Sequence, residues 1–467
     1  MRPNTPVDKA RELQRRLYVA AKRSSTRRFH ALYDRIWRSD VLREAWKRVR
    51  SNRGAAGVDG ESIDEIETRG AEQWLDEIAA ELKEKRYRPK PVRRRYIPKG
   101  DGRKRPLGIP TVKDRVVQMA TKLVVEPIFE ADFRGSSYGF RPKRSATQAL
   151  EAIREAGNRG YNFVVDGDIK GYFDNIDRTK LMELVERRIA DRRVLKLIRK
   201  WLDVGVMEDG TVRTTLAGTP QGGVISPLLA NIYLDELDRY WERECKQLGL
   251  LVRYADDFVV MCKTESQAKE ALRRVGQELT RLGLELQPEK TRLVDLRRGK
   301  EGFTFLGCTV RKRRSIQRNP RWHFMQRWPA PRAMKRVRER IHELTDASRS
   351  GIGDVKQVIE SLNPVLRGWG NYFRTGTAYR EFHHIDEYVN ERLLRWMWRR
   401  GGQRTRFRAE RWPRERFHQM GLHELRSTVS YPSQAAPRRP SVSRVRETRT
   451  HGLTGDLAQR AVKAPRR

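Results

Sequence analysis

Two short apolar runs in the middle of the chain end on aspartates, and they limit the possible folds more than any other feature. Phe163, Val164 and Val165 are aromatic and β-branched residues in a row, which predicts a buried strand reaching Asp168. Leu251 to Cys262 predicts two short strands joined by a tight turn at Ala255, Asp256 and Asp257. Between them, Ser226 followed by Pro227 predicts the cap and first turn of an amphipathic helix through Leu229, Ile232, Tyr233, Leu237, Tyr240 and Trp241. Thr264 and Gln267 predict a capping box for a helix that stops at Gly283. With further strands expected near Leu286 and Phe305, this order predicts an antiparallel α+β domain with helices on one face.

The flanking regions read differently. The first fifty residues predict basic, amphipathic helices, with Leu32, Ile36 and Trp37 on one face. A glycine-rich break follows at Asn52–Gly60, then a helix marked by Trp74, Leu75, Ile78, Ala79 and Leu82. Extended pieces are expected at Tyr96–Pro98 and Leu107–Pro110, and a buried helix over Val116–Val125 that ends near Pro127. After about Trp322 the strands are expected to stop. Basic helices follow, with Trp328, Trp369, Trp396, Trp398 and Trp412 expected as core anchors of a bundle. The tail Ser427–Arg467 is basic, carries prolines and has no apolar period, which predicts disorder.

Charge narrows the function classes. The 467 residues hold 100 Lys+Arg against 60 Asp+Glu, a formal net charge of +40, and such an excess points to a polyanion partner, most often nucleic acid. The sequence has no uncharged apolar run long enough for a membrane span. Cys245, Cys262 and Cys308 form no close pair, which argues against a disulfide scaffold or a zinc site built on cysteine pairs and fits a reducing, cytoplasmic setting. The N-terminus lacks the apolar core of a secretory signal.

Asp168, Asp256 and Asp257 are the residues most able to carry chemistry. Phosphoryl transfer on nucleotides uses two Mg²⁺ ions, one on the attacking and one on the leaving oxygen. Mg²⁺ takes hard oxygen ligands such as carboxylates, and a strand beside a hairpin holds them rigidly. By itself an Asp-Asp turn is ordinary turn chemistry. Asp166 to Asp177 also imitates a calcium loop, but Lys170 fills a ligand position and a strand leads into it.

Context raises the weight of those acids. The chain carries, in order, NRGAAGVDG (52–60), IPKGDGRKRPLGIPTVKDRVVQ (97–118), FRGSSYGFRPKRSATQAL (133–150) and VVDGDIKGYFDNID (164–177). GTPQGGVISPLLANIYLDELD (218–238), RYADDFVV (253–260), LELQPEKTRLV (284–294) and FTFLG (303–307) follow. This series resembles the block order of group II intron reverse transcriptases. LNPVLRGWGNYFR (362–374) and IDEYVNERLLRWMWRR (385–400) resemble the maturase domain, or thumb, of the same family.

The resemblance implies a right-hand polymerase of class α+β, with fingers and an antiparallel palm, followed by an all-α thumb and maturase domain. It implies a basic N-terminal extension at 1–51, fingers at 52–165, palm at 166–321, thumb at 322–426 and a basic tail at 427–467. Asp168, Asp256 and Asp257 would be the catalytic, metal-holding aspartates, with Ile169 lending its carbonyl, and the cofactor would be two Mg²⁺ ions. Phe173 would stack under the deoxyribose and exclude a 2′-hydroxyl. Lys99 and Arg105 would grip the dNTP triphosphate, Gln221 would lie beside the nucleotide, and Gly222–Gly223 would allow a close backbone approach. Lys290 would stand near the departing pyrophosphate.

The implied partners are group II intron RNA, an RNA template with a DNA primer, target DNA and a possible second copy of the chain. Cytoplasmic work, on the nucleoid when bound to DNA, is expected. Nothing after Arg426 resembles an H-N-H endonuclease, so any mobility is expected to borrow an existing 3′ end. Two alternatives stay open: another bacterial reverse transcriptase, of retron, diversity-generating or CRISPR-associated type, and a splicing cofactor whose polymerase has decayed.

Overall fold

Strand alternation decides how the middle of the chain packs, because successive side chains of a strand point to opposite faces. In the strand Phe163–Gly167, Phe163 and Val165 join one buried cluster and Val164 joins another. The same division runs through Asp257–Cys262: Phe258, Val260 and Cys262 enter the first cluster, Val259 and Met261 the second. A sheet covered on both faces needs apolar residues at every position, which explains the unbroken runs FVV and FVVMC. Helices were expected on one face; they cover both.

The computed structural model describes residues 6–98, 104–208, 211–213, 222–314, 323–346, 354–400 and 414–430. Its strands are β1 (Val92–Pro98), β2 (Lys104–Ile109), β3 (Phe163–Gly167), β4 (Val206–Glu208), β5 (Thr211–Arg213), β6 (Leu250–Tyr254), β7 (Asp257–Cys262), β8 (Arg292–Asp295), β9 (Gly302–Phe305), β10 (Cys308–Arg314) and β11 (His323–Pro329). The central sheet has the order β6-β7-β3-β8 and is antiparallel throughout, with Gly167 opposite Phe258 and Asp166 opposite Arg292. A second sheet runs β2-β1-β4-β5 and a third β11-β10-β9. The architecture is mixed α+β with a helical C-terminal region. No helix among the described residues is long and apolar enough to cross a membrane.

The first cluster is built around the helix Val112–Glu130, which is buried almost all round; its buried polar side chains are partnered, as Asp114 is by the Tyr87 hydroxyl at 2.6 Å. It was expected to stop near Pro127, but it runs three residues further. Proline removes the amide that would bond the carbonyl four residues back, Leu123. The Gln14 side chain, from the N-terminal helix Pro6–Arg23, donates to that carbonyl at 3.0 Å instead. The N-terminal helices thus share one core with the following segments rather than standing apart from them.

On the other sheet face, the helix Ala146–Asn158 starts with a Ser145/Gln148 capping box and sets Ala149, Leu150 and Ile153 against Val164, Val252 and Val259. The helices Pro331–Leu344, Val355–Phe373 and Tyr379–Arg400 complete that cluster through Ile341, Leu362, Leu366, Phe382 and Leu393.

Several local expectations change. The helix Ser226–Tyr240 is capped at Ile225, one residue early, and Pro227 presets its first turn. Leu286 makes a single bridge to Ile169 rather than a strand. Strands do not stop at Trp322: β11 pairs with β10, Thr309 opposite Trp328 and Lys312 opposite Met325. The inward position Arg327 disguised that strand; its buried guanidinium donates to the Thr375 hydroxyl at 3.0 Å. The β10–β11 hairpin therefore crosses the boundary expected at 322. Of the tryptophans, Trp396 is buried and Trp369 packs on Phe373 and Phe382, as expected. Trp398 is 61% exposed, Trp328 lies on β11 beneath Arg313, and Trp412 falls outside the described residues.

Candidate active site

Antiparallel register brings the aspartates together. Gly167 and Phe258 are paired, so Asp168, one residue past β3, lies beside Asp257, the first residue of β7, and Asp256 is at the turn next to it. Gly167 has to be glycine, since a Cβ would sit 2.3 Å from the Phe258 ring. The segment after the helix Glu265–Arg281 clamps the other side: Gln287 N donates to the Asp168 carbonyl at 2.8 Å and Lys170 N to the Glu285 carbonyl at 2.9 Å. Ile169 between them is buried. Lys290 Nζ reaches Asp168 Oδ2 at 2.5 Å.

The electrostatics follow from that convergence. Asp257 stays exposed on one side, yet protein packed around its carboxyl raises the pKa from 3.8 to about 7. The charges of Asp256, Asp168 and Asp166 add to the rise, and Lys290 opposes it. Crowded negative charge that takes up a proton this readily is charge that a cation would relieve. The available donors, three carboxylates and the Ile169 carbonyl, are hard oxygens suited to Mg²⁺. Among the described residues no three acidic, His or Cys side chains close around a common point, and the Lys290 ammonium holds Asp168.

The turn itself is braced from behind. Ala255 adopts φ +58°, a left-handed conformation uncommon for a residue with a Cβ. Arg253 N donates to the Ser136 carbonyl and Tyr138 N to the Arg253 carbonyl, both at 2.8 Å. Gly139 approaches so closely that a Cβ would stand 2.4 Å from Ala255 N. These braces, together with Arg253 itself, were not singled out from the sequence. The available signal was an arginine inside an otherwise apolar strand, Leu251–Val252–Arg253.

Phe173 lies in a short helical turn, Tyr172–Asn175, started by Gly171 at φ +54°. Tyr172 anchors that turn, fully buried with its hydroxyl donating to the Ala230 carbonyl at 2.6 Å. Phe173 is half-buried, its ring edge-on to Tyr172 at 5.2 Å. Arg105 is opposite Ile97 in the β1–β2 hairpin. Lys99 and Gln221 lie outside the described residues. Gly222 does allow a close approach, but to protein: at φ +115° a Cβ would meet the Gly108 carbonyl at 2.2 Å. The imitation calcium loop dissolves, because Asp166 pairs with Arg292 at 3.1 Å and Asp177 caps the helix Arg178–Glu186.

Comparison with known proteins agrees with this geometry. Residues 97–310 match the family described as reverse transcriptase (RNA-dependent DNA polymerase), and residues 334–414 match the group II intron, maturase-specific domain. The chain is 35% identical to protein YkfC of Escherichia coli K12 over 342 residues, 65% of this chain and 89% of that protein. It is 38% identical over 280 residues to the group II intron-encoded protein LtrA of Lactococcus lactis subsp. cremoris, 57% of this chain and 45% of that one. An uncharacterized 91 kDa protein in the cob intron of Schizosaccharomyces pombe is 30% identical over 415 residues, 73% of this chain and 50% of that protein. The chain thus spans about half the length of these intron-encoded relatives and nine-tenths of YkfC. A polymerase match over the aspartate-bearing sheet, a maturase match over the helices behind it and similarity across most of YkfC together mean that this chain belongs to the reverse transcriptase and maturase family of group II introns.

Proposed function

We propose that this chain copies group II intron RNA into DNA from a primer 3′ end, using dNTPs, and binds the same RNA to promote its splicing and mobility. The observation that carries the reading is the register that sets Asp168 beside Asp257, with their charges coupled. The reverse transcriptase family is in general Mg²⁺-dependent. Here Asp168, Asp256, Asp257 and the Ile169 carbonyl would hold two ions. When bound, such ions lower the pKa of the primer hydroxyl and neutralise charge on the leaving pyrophosphate.

The chain's own residues supply position. Phe173, half-exposed in the turn that follows Asp168, would present its ring to the sugar and leave no space for a 2′-oxygen. Lys99 and Arg105 grip the triphosphate as a point charge and a planar fork, and Gln221 flanks the nucleotide. Lys290 neutralises Asp168 and stands ready to give a proton to pyrophosphate. Because little covalent chemistry falls to protein in phosphoryl transfer, alignment and charge stabilisation are its main contributions.

The fingers are assigned to 52–162 with the N-terminal helices packed on them; the palm is assigned to 163–321, moved back from the expected 166 because the strand Phe163–Gly167 belongs whole to the central sheet, and extended through the β10–β11 hairpin; the thumb is assigned to the helices after Pro329 up to 426. The groove of about 740 Å³ between the helices Pro331–Leu344 and Tyr379–Arg400 presents Trp328, Lys335, Arg338 and His384, with Glu339, Glu343 and Glu381 also in its lining. Its rings and cations are the groups that would meet unstacked bases and phosphates. Template–primer and target DNA complete the partners, with a second copy of the chain as a possible one, and the work is assigned to the cytoplasm, on the nucleoid when DNA is engaged.

The test is primer extension on poly(rA)/oligo(dT) with Mg²⁺. Incorporation of dTTP is expected. A folded, RNA-binding chain that adds no nucleotide reduces the reading to a splicing cofactor.

A further inference from the structure

Arg253 is fully buried in β6, and its guanidinium is bonded on every side to protein. Nε donates to Asp238 Oδ1 at 3.0 Å, and Nη2 pairs with Asp238 Oδ2. Nη2 also donates to Ser137 Oγ at 2.9 Å, and Nη1 to Asn231 Oδ1 at 3.1 Å. The remaining bond is the informative one: Nη1 donates to the Ala255 carbonyl at 2.9 Å. That carbonyl belongs to the residue in left-handed conformation immediately before Asp256.

Three segments therefore meet at one cation. Asp238 and Asn231 come from the helix Ser226–Tyr240, Ser137 from the loop that pairs with β6, and Ala255 from the turn. Asn231 extends the set, donating from Nδ2 to the Gly139 carbonyl at 2.8 Å, and Ser136 Oγ donates to Asp238 Oδ1 at 3.2 Å. A buried ion pair is a poor device for stability, since apolar residues of the same volume often serve as well or better. A planar fork of fixed N–H directions is, however, a good device for holding a carbonyl in one place. The turn needs such a hold, because Ala255 has a Cβ and its backbone is in a sparsely populated region.

We propose that Arg253 is a positioning residue of the polymerase site: locked by Asp238, Asn231 and Ser137, its guanidinium holds the Ala255 carbonyl and thereby aims the Asp256 and Asp257 carboxylates. The inference rests on the polymerase reading above. It assigns catalytic importance to a side chain sealed from substrate, and it explains why an arginine interrupts an apolar strand.

The experiment compares wild type with Arg253→Lys, which keeps the charge next to Asp238 but loses the fork. Primer extension is measured alongside Mn²⁺ binding by electron paramagnetic resonance. The variant is expected to lose about ten-fold or more in kcat, since sub-ångström misplacement of reacting groups is costly. Its KM for dNTP and its affinity for RNA should stay within about two-fold, and Mn²⁺ should bind about five-fold more weakly. Should Arg253→Lys not fold, Ser137→Ala removes one bond to the guanidinium without touching the charge, and about a three-fold loss of kcat with weaker Mn²⁺ is expected. A folded variant with wild-type kcat and Mn²⁺ affinity overturns the inference and leaves the polymerase reading intact. A wild-type chain that binds no Mn²⁺ and extends no primer overturns both.

Discussion

In β6 the guanidinium of Arg253 is sealed from solvent and bonded to four protein groups, whereas in the helix Pro331–Leu344 that of Arg340 is 55% exposed and pairs with Glu343, three residues on. An exposed pair of this kind contributes little to stability and is screened by salt. A buried, fork-shaped set fixes geometry and hardly feels salt. The same side chain therefore fixes geometry in the central sheet and supplies a positive field in the C-terminal helices. Exposed arginines and lysines of the second kind contribute to the net charge of +40, whereas the chemistry depends on the first. Variants at the two regions should fail in different assays.

The largest expected effect is at the turn. Asp256→Ala combined with Asp257→Ala should reduce DNA synthesis by about 10³-fold or more, because the electrostatic stabilisation of the transferring phosphoryl group goes with the carboxylates. Intron RNA affinity and splicing should stay near wild type, since RNA binding is assigned to the C-terminal helices and not to the turn. Equal loss of both activities in a folded variant would break the division between geometry and field.

Next comes Phe173. If its half-exposed ring fills the space proposed for the sugar, replacing it by alanine should lower the preference for dNTP over rNTP by about 10²-fold, the order a single hydroxyl commands in an apolar pocket. Competition between dTTP and UTP on one primed template measures it; unchanged preference would remove Phe173 from the nucleotide site. A smaller effect belongs to the field. Lys335→Ala with Arg338→Ala, in the groove beside Trp328, should weaken intron RNA binding by about ten-fold and lower the salt slope by roughly two, with kcat for primer extension unchanged. Unaltered salt dependence would show that phosphates do not reach this groove.

What could be read in advance, and what could not, divides along similar lines. Asp168, Asp256 and Asp257 were legible only in combination: each ends or interrupts an apolar run, which alone is ordinary turn chemistry, and the ordered series of motifs around them gave them weight. The strands themselves were legible from β-branched residues. Arg253 was quoted within its motif but not read, since a charge in a strand looks like an exposed position until the partner, Asp238 on a distant helix, is known. β11 was missed for a related reason: Arg327 occupies an inward position with its guanidinium bonded across to Thr375, so the alternation of apolar residues is broken. Pro127 was read as a stop because the side chain that replaces its missing bond, Gln14, is more than a hundred residues earlier. In each case a long-range polar contact overrode a local rule.

The smallest effect sharpens the comparison from the side of stability. Asp257 is pushed up to about 7, first by burial of its carboxyl and then by Asp256, Asp168 and Asp166, against 3.8 when free of the fold. Between those values the folded chain keeps a proton that the unfolded chain has released, so unfolding is proton-linked. Stability from this group is complete below about pH 3.8 and declines as pH rises towards 7, the reverse of a salt-bridged carboxylate. Because Asp257 remains partly open to water, solvent screens the effect, and a decline in Tm of only about 2 °C is expected without divalent ions. Asp235, raised to about 6 by burial, slopes in the same direction, so the measurement is the difference between wild type and Asp257→Asn. The variant should show a flatter profile over pH 4–7, and Mg²⁺ added to wild type should flatten it likewise by taking the place of the proton. Parallel profiles for the two proteins would mean that neither burial nor the neighbouring acids raise Asp257, and the crowding on which the site depends would fail with them.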